Sequence, residues 1–360
     1  MAKLPKAAQS GMITVVGCHA EGEVGDVIVG GVPPPPGATM LDQKLAFERD
    51  FDHIRRRLLC EPRGSVARHI NLIVPPTRDD CVAGAIIMEP TEYPPMSGSN
   101  TVCIATVLLE TGLVPMVEPE TRFRLDMPGG PVDIVAQCQG GKCLSVTLKN
   151  VPAFALKLDA PLELEGLPTQ SIDIAYGGMI FAIADAKALG FSLTPDEARD
   201  LAEVGEKIRA AARAQHPVTH PEHPDIANVS IVQLAGPLRP DVSAGAGKRL
   251  IARNTCIVAP GRSDRSPTGT GTTARMAVLH ARGLLGVGDG LTHESLVDSR
   301  FIGQIVGETT VAERPAIEAT ITGRAWTTGL MQFWADPADP WPNGYVLSDT
   351  WGLSTDVSQA

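Results

Sequence analysis

Met96-Ser97-Gly98-Ser99-Asn100-Thr101 and Pro267-Thr268-Gly269-Thr270-Gly271-Thr272 are two versions of one pattern. Each opens an apolar run, the first ending at Gly112-Leu113 and the second at Gly283-Leu284. Ser97 stands 15 positions before Gly112, as Thr268 does before Gly283, and the copies lie 171 positions apart. Small hydroxyl residues and glycine ahead of an apolar run predict a helix start in each copy. Repetition across nearly half the chain predicts two equivalent halves, and one active site with two facing catalytic positions.

Around these helices the sequence reads as many short strands. Residues 12–17, 27–29, 70–74 and 82–88 alternate or run apolar ahead of the first copy, whose helix is expected over about 101–111. Pro33 to Pro36 remove four consecutive backbone donors and fix a loop. Leu45, Phe47, Phe51, Ile54 and Leu58 predict a helix over 41–59. Strands are expected at 123–125, 132–135 and 144–148, then at 172–174 and 179–183. A domain change is expected between Asp159 and Gln170, where Pro161, Gly166 and Pro168 cluster. Ala198, Leu201, Val204, Ile208 and Ala212 share one face of a helix predicted over 195–215. Strands continue from Phe301, and loop dominates beyond Asp336. The fold class is α+β, and two copies are too few for a solenoid.

At 360 residues the chain exceeds what one core usually organises, so two domains are expected. A net charge of −10 argues against nucleic acid as the main partner, since neutralising phosphates takes clustered Lys and Arg. It leaves room for a small anionic substrate met by local backbone dipoles. No apolar stretch approaches the roughly 20 residues that span a bilayer, so no membrane role is expected. Met1 to Gly11 lack the apolar core of a signal segment, and a cytoplasmic location follows as the default. The seven cysteines are scattered and form no CxxC pair, which supports neither a disulfide framework nor a zinc ribbon. Buried free thiols are the expectation, Cys103 and Cys256 among them.

Helix starts favour anions because their first N–H groups lack helical acceptors, and glycine permits close approach. Ser97 and Thr268 are therefore candidate site residues; ordinary N-caps are the alternative. Gly269-Thr270-Gly271 is neither a dinucleotide fingerprint nor a P-loop, because the third glycine and the Gly-Lys-Ser/Thr are missing. Asp264 could accept from a substrate ammonium or pair with Arg262 or Arg265. His216, His220 and His223 crowd one loop, but Pro217, Pro221 and Pro224 forbid a helical ligand pair, so a polar surface or pocket-rim loop is favoured over a metal site. His19 and Glu21 are pocket residues or turn formers.

The chain resembles the proline racemase superfamily, which also includes 4-hydroxyproline epimerases and trans-3-hydroxy-L-proline dehydratases. The resemblance covers nearly the whole chain. It rests on His19-Ala20-Glu21-Gly22-Glu23, Gly30-Gly31, Met96-Ser97-Gly98-Ser99, Asp173-Ile174-Ala175-Tyr176-Gly177-Gly178, Asp264-Arg265-Ser266-Pro267-Thr268-Gly269-Thr270-Gly271-Thr272, Gly323-Arg324-Ala325 and Asp339-Pro340. It implies two pseudo-symmetric α/β halves of the diaminopimelate epimerase-like type, each a central helix wrapped by strands. The halves are expected at 1–165 and 166–325, with 326–360 returning to the first. It further implies a cofactor-independent, metal-free mechanism in which two cysteines face opposite sides of Cα.

Here Ser97 and Thr268 hold those positions. A hydroxyl is a far weaker base than a thiolate at neutral pH, and two-base inversion needs an effective group on both faces. Thr at the second position resembles the 3-hydroxyproline dehydratases, although many of these carry Cys where Ser97 stands. The resemblance thus implies a hydro-lyase of amino-acid catabolism that converts trans-3-hydroxy-L-proline to Δ1-pyrroline-2-carboxylate. Ser97 takes the Cα base position and Thr268 the opposite face. Gly98, Ser99, Gly269 and Thr270 would hold the carboxylate, and Asp264 the ring nitrogen. Asp264 and the loop histidines are candidates to activate Ser97. The alternatives are a 4-hydroxyproline 2-epimerase and a non-catalytic proline-analogue binding protein. A small-molecule amino acid is the expected partner, and a homodimer is left open.

Overall fold

The computed structural model describes residues 11–242 and 248–351; the stretch before Gly11, read above for a signal core, and the last nine residues lie outside them. In chain order the elements are β1 (Ile13–Ala20), β2 (Glu23–Gly30), α1 (Met40–Asp50), α2 (Asp52–Leu59), β3 (Arg68–Val74), β4 (Ala83–Met88), α3 (Gly98–Glu110), β5 (Glu120–Met127), β6 (Gly130–Gln139) and β7 (Lys142–Lys149). They continue with β8 (Phe154–Leu162), β9 (Gln170–Tyr176), β10 (Ile180–Asp185), α4 (Ala198–Gln215), β11 (Ile231–Ala235), β12 (Arg239–Pro240), β13 (Arg249–Val258), β14 (Arg262–Ser263) and α5 (Gly269–Ala281). The last are β15 (Gly290–Glu294), β16 (Arg300–Val311), β17 (Arg314–Gly323), β18 (Ala325–Phe333) and α6 (Ser348–Trp351). Two compact units result, Met1–Thr147 with Arg324–Ala360, and Leu148–Gly323. The cluster of Pro161, Gly166 and Pro168 marks the β8–β9 connection inside the second unit instead of a domain change.

The two units share one strand order. In the first, β18, β1, β2, β3, β4, β5 and β6 are joined by antiparallel, antiparallel, parallel, antiparallel, parallel and antiparallel pairings. In the second, β8, β9, β10, β11, β13, β15 and β16 repeat that series. Parallel neighbours need a crossover, usually helical. α1 with α2 links β2 to β3, α3 links β4 to β5, and α4 and α5 do the same in the second unit. β18 returns to pair with β1, with Ala20 opposite Ala325, and β8 occupies the matching place beside β9.

Strands between two helical layers lose their polar alternation because both faces are covered. β10 shows this clearly. Phe181 and Ile183 pack with Ala274 and Val278 of α5, whereas Ile180, Ala182 and Ala184 pack with Leu201 and Ile208 of α4. β4 is likewise buried at every position. β16 keeps its alternation along Arg300–Ile305, with one face exposed. In the first unit Ile28, Ile70, Leu72, Ile86 and Met88 join Met40, Phe47, Ile54 and Leu58 of α1 and α2. The single helix expected over 41–59 is thus two, because Phe51 leaves helical geometry at φ −125° and ψ 11°. The break makes Asp52 a new helix start, where it accepts from Arg55 and Tyr93. Beyond Asp336 the loop is anchored: Arg63 pairs with Asp339, and Trp351 packs against Cys60. Among the described residues no helix is long and apolar enough to cross a membrane.

Helices α3 and α5 are buried along most of their length, and the segments against their starts are correspondingly tight. A Cβ at Gly177 would sit 2.3 Å from the Thr270 carbonyl oxygen and 2.6 Å from the Ala274 nitrogen. Gly177→Ala is expected to destabilise the protein by about 1–3 kcal/mol, read as a lower Tm; an unchanged Tm would refute this contact. His293 of β15 is fully buried, with Nδ1 2.9 Å from the Thr272 hydroxyl. Burial, helped by Arg275, pushes it down to about 3 from 6.5. Between these values the unfolded chain binds the extra proton, so stability falls as pH drops through that window. Thermal unfolding against pH should show that slope, and His293→Gln should flatten it.

Candidate active site

Ser97 precedes α3 with extended backbone, φ −148° and ψ 127°, and its hydroxyl makes no capping bond to the helix. Its carbonyl instead accepts from both the N–H (3.0 Å) and the hydroxyl (2.7 Å) of Thr101. The partly exposed Ser97 hydroxyl accepts a 3.0 Å bond from Asn100 Nδ2. The N-cap alternative is thus not realised at Ser97, whose side chain bonds Asn100 instead.

Asn100 belongs to a buried polar cluster. Asn71 Nδ2 donates to Asn100 Oδ1 at 3.0 Å, which directs the other end of the amide toward Ser97 and His69. Asn100 Nδ2 lies 3.1 Å from His69 Nδ1, so this ring nitrogen is the acceptor. Glu89 and Glu23 each approach a His69 nitrogen at 3.5 Å. Sequence reasoning missed His69 and Glu89 and assigned no role to Asn100 or Glu23. The only local signal was a histidine inside the apolar strand β3. Register supplies the rest, because Ile70 opposes Met88 and brings the following Glu89 beside His69.

The second start is built differently. Thr268 has φ 65° and ψ 108°, a region that costs a β-branched residue about 1–3 kcal/mol. Its hydroxyl donates to Asp264 Oδ2 at 2.5 Å, the length of a charge-assisted O–H···O⁻ bond. Asp264 Oδ1 accepts the Ser266 N–H at 2.8 Å, and the Ser266 hydroxyl accepts the Thr268 N–H at 3.1 Å. These bonds hold the strained backbone. The Thr268 carbonyl accepts from Thr272 N–H (2.8 Å) and hydroxyl (2.9 Å), reproducing the Ser97–Thr101 arrangement. Of the pairing partners considered for Asp264, Arg265 donates to the Ser263 carbonyl at 2.6 Å and Arg262 to the same oxygen at 3.2 Å.

Gly98 and Ser99 form the first turn of α3, as Gly269 and Thr270 do for α5, and all four are buried. First-turn N–H groups have no acceptor within their own helix and suit a carboxylate. The structure thus gathers Ser97, Gly98 and Ser99 in the first unit, and Asp264, Thr268, Gly269 and Thr270 in the second.

Other sequence candidates are committed elsewhere. His220 is buried, not a polar rim residue; its ring meets Tyr176 at 4.5 Å and Phe154 at 5.3 Å. Its Nδ1 accepts the N–H groups of Glu222 and His223, and burial lowers its pKa. His216 Nε2 meets the Pro161 carbonyl at 2.6 Å. Among the described residues no group of three His, Cys, Asp or Glu is placed to hold a metal ion. His19 stacks on Trp326 at 5.3 Å, and Glu21 accepts from the N–H and Nε of Arg324, so two distant motifs meet here. Asp173 pairs with Arg282, a structural role. All seven cysteines are free and buried, and burial pushes Cys256 up to about 12.

Comparison with known proteins identifies the family. A family model described as proline racemase matches residues 15–346. A hydroxyproline epimerase from Agrobacterium vitis, solved with bound trans-4-hydroxy-L-proline, is 39% identical with a TM-score of 0.87. The match covers 96% of this chain and 97% of that one. A probable proline racemase from Agrobacterium radiobacter, solved with bound carbonate, is 38% identical with the same TM-score, over 96% of this chain and 99% of that one. A phenazine biosynthesis protein of the PhzF family from Bacillus anthracis shares the fold at 12% identity, with a TM-score of 0.55 over 89% of this chain and 99% of that one. With the family model spanning most of its length, the chain belongs to the proline racemase family.

Proposed function

We propose that the protein dehydrates trans-3-hydroxy-L-proline to Δ1-pyrroline-2-carboxylate without a cofactor. Ser97 takes the proton from Cα, the C–H electron pair forms the Cα–C3 double bond, and the C3–O bond breaks. The proton and the departing hydroxide together make water, and the cyclic enamine tautomerises to the imine. The trans 3-hydroxyl lies on the same face of the ring as the Cα hydrogen, so it departs on the Ser97 side, and Thr268 lies toward the opposite face, where elimination asks for no proton. N–H groups of Gly98, Ser99, Gly269 and Thr270 receive the carboxylate, and Asp264 receives the ring ammonium.

One observation carries this reading: the two hydroxyls play opposite hydrogen-bond roles. Ser97 accepts from an amide, which favours negative charge developing on its oxygen, while Thr268 donates to a carboxylate. Reversible inversion asks both positions to serve alternately as acid and base. A one-way elimination asks for a base on one face only. The second reading is 4-hydroxyproline 2-epimerase activity, favoured by the relative that holds trans-4-hydroxy-L-proline at 39% identity.

Incubation with trans-3-hydroxy-L-proline is expected to yield a cyclic imine detectable by its reaction with an amine reagent. Epimerisation in heavy water would instead place deuterium at Cα with the hydroxyl retained. Binding of proline analogues with neither product nor Cα exchange would overturn both. Ser97→Ala is expected to lower kcat by 10²-fold or more, on the order of a lost general base, in protein that still unfolds cooperatively.

A further inference from the structure

We infer that His69 and Asn100 are positioning residues that tune the ionisation of the group at position 97. The inference deepens the reading of Ser97 as a base and rests on it only for its catalytic meaning. Asn100 is buried, and its amide is fully engaged: Oδ1 accepts from Asn71, and Nδ2 faces Ser97 Oγ at 3.0 Å, His69 Nδ1 at 3.1 Å and, farther off, Glu89 Oε1 at 3.5 Å. The amide cannot rotate without placing a donor against Asn71 Nδ2 and stranding buried partners. Its two hydrogens are held toward this side, where Ser97 Oγ and His69 Nδ1 are the two nearer acceptors and Glu89 the more distant one. A donor fixed on the Ser97 oxygen stabilises the anion over the neutral form.

His69 keeps the amide in that orientation. Its Nδ1 accepts from Asn100, and the carboxylates of Glu23 and Glu89 flank the ring at 3.5 Å on its two nitrogen sides. An amide N–H does not relay protons, so His69 acts through the placement of Asn100. The Asn71 amide, which also donates to the Asp26 carbonyl at 3.0 Å, fixes the same group from the side of β3. A cluster that only satisfied a buried histidine would have no reason to affect ionisation at position 97.

Replacing the hydroxyl by a thiol makes this ionisation measurable without any turnover. In S97C, alkylation by iodoacetamide is followed against pH at the peptide carrying position 97, the seven native cysteines being buried. S97C/N100A is expected to raise the thiol pKa by about one unit, a roughly tenfold loss of thiolate at neutral pH. S97C/H69L is expected to shift it in the same direction, and S97C/H69Q, whose amide oxygen can accept from Asn100, to restore it. Identical pH profiles for S97C and the double variants would overturn the inference. Should a double variant fail to fold, nitrogen NMR of the wild type and Ser97→Ala provides the second test. His69 Nδ1 should resonate as an unprotonated nitrogen, and the Asn100 side-chain amide should move when the hydroxyl is removed. A protonated Nδ1 or an unmoved amide would overturn it equally. If the thiol shifts hold while trans-3-hydroxy-L-proline is not turned over, the proposed reaction fails and the positioning role stands.

Discussion

A buried helix still carries first-turn N–H groups that its own carbonyls cannot accept. Both central helices of this protein are buried at nearly every position, so this constraint governs how each half is built. Small residues at the starts let neighbouring segments pack closely, as Gly177 does against Thr270 and Gly25 against Asn100. The carbonyl before each helix is doubly engaged by a threonine four residues on, Thr101 or Thr272. The side chains of Ser97 and Thr268 do not cap their helices. N–H groups at such a helix start suit an anion.

The repeat is architectural, and the chemistry departs from it. The strand series is the same in both units, although the first receives its end strand, β18, from far along the chain and the second takes β8 from directly before β9. At the starts the electrostatic sense differs. An amide hydrogen points at Ser97, and a carboxylate oxygen receives the Thr268 hydrogen. The backbone differs too, relaxed before α3 and strained before α5. Strain persists where surrounding bonds over-determine the conformation, and Asp264 with Ser266 does so at Thr268.

Much of this was legible from residue order. The hydroxyl and glycine pattern ahead of an apolar run located both helix starts, and the apolar runs of β4 and β10 read correctly as strands. Periodicity carried the helix over 41–59 past Phe51, because a backbone break need not interrupt apolar spacing. Proline and glycine near residue 165 mark a loop, and a loop inside a unit looks the same as one between units. The histidine loop reads as a polar surface or pocket-rim loop, and Glu222 and His223 are exposed, but His220 is absorbed by aromatic packing. His69 escaped notice because nothing beside it in sequence shows what it touches.

By itself the sequence determined the two halves, their central helices and the identities of the groups at each start. Capping preference and hydrophobic period are properties of neighbouring residues, so they survive without coordinates. The tertiary structure decided which atom each hydroxyl bonds, an amide nitrogen for Ser97 and a carboxylate oxygen for Thr268. Asn100, His69 and Glu89 come from a helix, a strand and a loop, and only the β3–β4 register brings Glu89 alongside His69. Hydrogen bonds act over about 3 Å, and such distances between remote residues are set by folding alone.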